Sequence, residues 1–143
     1  MAAVDSITAQ FAALAVSEGW KKKSAIYKEQ RRKYIAHAVS AGFAASFGTN
    51  VADLQAWRSL CSTVGVVADA GALLSIKACK RALSGVYVNI VDLVDAAGAG
   101  RTIARTFSSE NELAGYIKRT KKIFPKGQAK SNPLLQRFLV HVF

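Results

Sequence analysis

Few residues in this 143-residue chain have side chains suited to catalysis or metal binding, and their spacing limits each of them. The two histidines are His37 and His141. Neither has an acidic or thiol residue at helical ligand spacing, which argues against a zinc or iron site. His37 is expected to pack or to bond a helix cap. Asp92 and Asp95 stand three apart, so a helix would bring them toward one face. Such a pair divides acid and base roles only when burial separates the two pKa values. The simpler expectation is a solvated acidic edge answering Arg101 and Arg105. Cys61 and Cys79 form no C-x-x-C pair and are expected as buried, reduced thiols, with a disulfide between neighbouring helices left open. No G-x-S-x-G elbow occurs, and the glycines of AAGAG (96–100) match neither a dinucleotide fingerprint nor a Walker loop. These residues indicate no catalytic residue, cofactor or metal ligand, and enzyme is the weaker expectation.

The basic residues carry the stronger signal. Lys21, Lys22, Lys23, Lys28, Arg31, Arg32 and Lys33 crowd one stretch, interleaved with Trp20, Tyr27 and Tyr34. A second group is Lys77, Lys80 and Arg81. A third comprises Lys118, Arg119, Lys121, Lys122, Lys126 and Lys130, with Tyr116 and Phe124 nearby. Lysine and arginine neutralise phosphates and release counterions, while exposed aromatics can stack on bases. The near-heptad spacing of Trp20, Tyr27 and Tyr34 instead suits core-facing residues. The charges alone would then position a phosphate backbone with little base specificity.

Composition agrees with that direction. Twenty Lys/Arg oppose nine Asp/Glu for a net charge of +11, and the sequence pI is about 10. The excess is +3 over residues 1–70 and +8 over 71–143. Such a balance favours anionic partners, namely nucleic acid, a membrane surface or an acidic protein. A membrane-surface role lacks the exposed apolar face it needs, and no apolar run approaches the roughly 20 residues of a span. The N-terminal segment has Asp5 where a signal peptide wants a base and no Arg before position 31, so it reads poorly as a targeting sequence.

The elements that must position these residues are helices. Apolar content is 51%, much of it alanine, and both prolines, Pro125 and Pro133, fall near the end. The reading is an all-α, single compact domain over residues 1–143 with about six or seven helices. The first is expected over Asp5–Val16, and a long second helix from Trp20 to Phe47 passes from a charged half to a buried one. Asn50 and Asp53 are read as a capping box for a helix through Val64. Gly65–Leu74 reads as a packed loop. Ser75 caps the helix IKACKRALS. Val86–Asp95 has strand-favouring residues, but Asn89 and the spacing of Ile90, Leu93 and Val94 favour a helix. AAGAG is expected as a flexible joint, and 101–106 as a helical turn or an extended connector. Ser109 and Glu112 form a capping box for a helix to about Lys122, whose terminal cations suit the macrodipole. Asn132 and Pro133 open a last, apolar helix that must dock on the body. A helix-turn-helix over Ser75–Asp95 fits poorly, because the second helix carries Asp92 and Asp95 and no cation.

The runs LQAWRSLCSTVGV, SIKACKRAL, VNIVDLV and YIKRTKKIFPKGQAK resemble small, uncharacterised proteins of filamentous fungi, over roughly residues 50–130. The resemblance implies a eukaryotic protein of the cytosol or nucleus that acts through contacts, and it brings no activity or site. The expected function is a non-enzymatic basic module that binds nucleic acid or an acidic protein. The alternative is a protein–protein adaptor with an apolar groove beside the last helix.

Overall fold

In the computed structural model, residues 6–66 and 73–142 are described. Among them the chain forms seven α-helices: α1 (Ile7–Glu18), α2 (Ala25–Phe47), α3 (Leu54–Val64), α4 (Ile76–Leu83), α5 (Ile90–Gly98), α6 (Glu110–Thr120) and α7 (Pro133–Val142). A 3-10 segment, Lys126–Ser131, precedes α7. The fold is all-α and compact. Its one strand-like feature among the described residues is an isolated antiparallel bridge between Tyr87 and Phe107.

Local chemistry sets the helix boundaries. Ser6, Ser24, Ser75 and Ser109 each accept a backbone N–H three residues on, satisfying a donor that the first turn leaves open. The long second helix therefore begins at Ala25, later than its apolar pattern suggests. Gly19, at φ 74°, ends α1 with its own N–H on Val16 O and that of Trp20 on Ala15 O. Glycine takes this left-handed closure without a Cβ penalty. Trp20 thus lies in the turn between α1 and α2.

Asp53 itself caps α3 by accepting from Gln55 N at 3.0 Å, while Asn50 makes a separate turn with Ala52 N. The expected Asn50–Asp53 capping box is absent. Near Ser109 a related exchange occurs one residue earlier than expected, because Glu112 accepts from Ser108 N and its hydroxyl. Of the expected loop Gly65–Leu74, residues 67–72 lie outside the described ones. The strand preference of Val86–Asp95 is expressed only at the Tyr87 bridge, and the helix starts at Ile90 under the Asn89 cap. Ala96 is fully buried inside α5. The expected joint therefore starts only at its last residues, Ala99 and Gly100, after α5 ends.

The core gathers α2, α3, α5 and α7 around Trp57, Phe43, Leu60, Leu93 and Phe138, all without solvent exposure. Burying such a side chain stabilises by about 1.5–3 kcal/mol. The charged first half of α2 gives way to buried Ile35, Val39 and Phe43. There α2 crosses α5 so closely that a Cβ on Gly42 would stand 2.5 Å from Val94 Cγ1. The last helix docks as expected, with Leu134, Leu135 and Phe138 buried and Phe138 6.1 Å from Phe43. Asn132 ties its start to α2 by donating to Gly48 O. Phe11 anchors a satellite cluster with Trp20, Tyr27 and Tyr34 at 5.2–6.1 Å. Those three rings face inward, leaving their cations at the surface. Cys61 and Cys79 are buried free thiols, and burial, reinforced by Cys79, pushes the Cys61 thiol up to about 12. At that value it stays protonated and unreactive near neutrality.

Candidate functional site

α6 is attached differently from the other helices. Its only fully buried side chain is Leu113, which lies outside the main core cluster. Its two ends are held by polar bonds instead. At the start, Tyr87 and Phe107 exchange both backbone hydrogen bonds, at 3.0 and 2.8 Å. At the end, α6 stops at Thr120, and Lys121 takes a left-handed conformation at φ 59°, the one described non-glycine residue with positive φ. The reversal sends Lys122 back onto α5. The helix therefore ends two residues short of the expected limit of about Lys122.

Lys122 closes a polar clamp. Its Nζ lies 2.7 Å from Asp92 Oδ1 and 3.2 Å from the Tyr116 hydroxyl, which donates to Asp92 Oδ2 at 2.5 Å. Its carbonyl accepts from Asn89 Nδ2. Burial alone would lower the Lys122 pKa, but the hydrogen bonds to Asp92 and Tyr116 raise it above the ordinary value. Burial, with the bond to Asp92, also raises the Tyr116 hydroxyl. The Tyr116 ring is ringed by Arg105, Arg119 and Lys122, each 5.6–5.8 Å from its centroid. Phe107 packs 5.1 Å away. The ring face is occupied by cations and is not a free platform for a base. Phe124, the other aromatic of this stretch, is buried in the core.

The same clamp resolves the two carboxylates. Asp92 is spent on Lys122 and Tyr116. Asp95 accepts from Ile7 N at 2.9 Å, holding the start of α1, and its pKa is raised chiefly by burial. They are therefore not an acidic edge paired with Arg101 and Arg105. Those arginines instead line a cleft of about 400 Å³ with Asp92, Asp95, Tyr116 and Lys122.

The expected basic residues fall into three groups. Lys21, Lys22, Lys23, Lys28, Arg32 and Lys33 are exposed before and along the start of α2, and among the described residues only Lys33 of these has an ion-pair partner, Glu29 at 3.5 Å. Arg31 reaches across to α6 and donates from Nη1 to Lys121 O at 2.5 Å. That contact brings the first cluster against the exposed Lys118, Arg119 and Lys121. Lys77, Lys80 and Arg81 sit on α4, which packs on α3 and α7. There Lys80 lies over the Trp57 ring at 5.3 Å, and no described bond ties this group to the other two. Lys130 is exposed on the 3-10 segment, and the side chain of Lys126 lies outside the described ones. Lys122, counted with the surface cations from sequence, is taken up inside the clamp.

His37 is exposed rather than packed, and the side chain of His141 lies outside the described ones. Among the described residues no three His, Cys, Asp or Glu side chains converge as metal ligands. No described helix is long and apolar enough to cross a membrane. The chain matches no family model, no curated protein and no solved structure. Its site must be read from its own chemistry.

Proposed function

We propose that the protein is a basic helical module that binds the phosphate backbone of nucleic acid, in a cytosolic or nuclear setting. The observation that carries this reading is the Arg31–Lys121 contact, which joins two sequence-distant cation clusters into one surface. Among the described residues only Lys33 and Lys122 have ion-pair partners, and Lys21, Lys22, Lys23, Lys28, Arg32, Lys118 and Lys121 are exposed to solvent where a phosphate could meet them. Inward-turned aromatics and a cation-covered Tyr116 favour backbone contacts over base stacking. The test is binding of short DNA and RNA duplexes as a function of salt. With six or more phosphates neutralised, affinity should fall by about 10³-fold or more between about 50 and 200 mM salt. The combined variant K28Q/R32Q/K118Q/K121Q should weaken binding to both duplexes and flatten the salt slope, with helicity unchanged. A salt-independent affinity, or wild-type binding by that variant, refutes the reading.

One observation favours a second reading, a protein adaptor. The outer side of α6 carries a groove of about 520 Å³ lined by Ala114, Gly115, Ile117 and Ile123, edged by Lys118 and Lys121. Ile123 is 48% exposed. An acidic amphipathic helix of a partner protein would match that apolar floor and basic rim. Replacing Ile123 with Ser, which removes apolar area without adding charge, should weaken such an interaction and leave duplex binding nearly intact.

A further inference from the structure

The cleft beside the clamp is lined by two arginines that have no described ion-pair partner. Asp95 spends one oxygen, Oδ1, on Ile7 N, and its other oxygen has no described partner. Arg101 and Arg105 line the same cleft. Yet among the described residues neither guanidinium lies within ion-pair distance of a carboxylate. The Arg105 guanidinium carbon lies 5.6 Å from the Tyr116 ring centroid, and a cation–π contact of this kind engages the charge without consuming its N–H donors. Among the described residues these opposite charges stand beyond ion-pair distance, and the cleft they line encloses about 400 Å³. That space lies within the usual range of small-molecule sites, about 300–1,000 Å³.

Complementarity defines the ligand. Two unpaired guanidiniums suit an oxyanion that accepts several bonds at once, and a phosphate dianion does so better than a carboxylate. An unpaired carboxylate oxygen accepts from hydroxyl groups and repels a second anion. We propose that the cleft binds a small phosphorylated polyol, its phosphate on Arg101 and Arg105 and its hydroxyls on Asp95. This site uses none of the α2 and α6 surface cations, so it stands apart from duplex binding.

The test is calorimetric titration of the full chain with ribose 5-phosphate, inorganic phosphate and ribose at fixed salt. Ribose 5-phosphate should bind at least about tenfold more tightly than phosphate, and ribose should give no measurable heat. The variant R101Q/R105Q should lower ribose 5-phosphate affinity by about tenfold or more. Asp95→Asn keeps an acceptor for Ile7 N but removes the charge, and it should bring the two phosphate ligands to similar affinities. The variant K77Q/R81Q removes equal charge from α4 and should leave affinity nearly unchanged. Equal losses in R101Q/R105Q and K77Q/R81Q would reduce the effect to net charge and overturn the proposal. So would inorganic phosphate matching ribose 5-phosphate on the wild-type chain, or no binding of either. Duplex titrations on R101Q/R105Q separate the two readings, because duplex affinity should survive there.

Discussion

Replacing Lys122 with Met removes the cation that holds α6 to α5, and the cost follows from the clamp geometry. Lys122 and Asp92 side chains are 24% and 19% exposed and lie 2.7 Å apart. Exposed pairs contribute about 0.2–1 kcal/mol, whereas breaking a buried pair costs about 3–5 kcal/mol. With each group still partly in water, Lys122→Met should cost about 2 kcal/mol. Most of that cost is the stranded Asp92 carboxylate, left with Tyr116 alone. Asp92→Asn keeps an acceptor for the Tyr116 hydroxyl and should cost about 1 kcal/mol. In the double variant no charge is stranded, so its loss should fall short of the summed single losses by about 1 kcal/mol. Urea unfolding measures all four corners of this cycle, provided the slope with denaturant is constant. Amide exchange adds a local readout. α6 buries only Leu113, so its amides should exchange about 30-fold faster in Lys122→Met, since each 1.4 kcal/mol is tenfold. A single-variant loss below about 0.5 kcal/mol, strict additivity, or unchanged exchange in α6 would refute the clamp as its anchor.

Two further predictions concern neighbouring residues. The raised pKa of Asp95 means that ionisation is harder in the folded chain than in the unfolded one, so stability falls as pH rises from the ordinary Asp value to the raised one. Asp92, Lys122 and Arg101 are the charges acting on it. Asp95→Asn should therefore be more stable than wild type at pH 7 and lose that advantage at and below about pH 4, as urea melts at the two pH values would show. Lys121→Gly relieves a left-handed conformation that costs a side-chain-bearing residue about 1 kcal/mol. It should raise the unfolding midpoint while lowering duplex affinity and reducing the salt slope by about one phosphate contact. Stability and binding moving together would contradict the role given to Lys121.

How much of this could be read from sequence differs from place to place. The caps at Ser75, Asn89, Ser109 and Asn132 and the glycine stops are legible in the sequence because they act within three or four residues. So is the inward turn of Trp20, Tyr27 and Tyr34, because apolar periodicity reports a buried face directly. The α2 start falls later than expected because the apolar periodicity from Trp20 runs through the Ser24 cap. Lys122 was illegible for a different reason. A run of four cations at a helix end looks uniform, and only the backward turn at Lys121 separates the one that is buried in an ion pair. The partners of Asp92 lie 24 and 30 residues away, at Tyr116 and Lys122. Only the packing of α5 beside the end of α6 brings them together. Arg31 meeting Lys121 across 90 positions is of the same kind.

The bridge at Tyr87 and the bond from Asn89 to Lys122 O have a topological consequence. Phe107 and Lys122 are moored to positions 87 and 89, two residues apart, so the chain between them leaves the body and returns to nearly the same point. Such a closed excursion behaves as a cassette. Doubling the length of a loop between fixed ends costs only about 0.6 kcal/mol in closure entropy. The segment 108–121 could therefore be lengthened, or recoded at its exposed positions, for another binding surface while Leu113 and Tyr116 keep it on the body and the core keeps its packing.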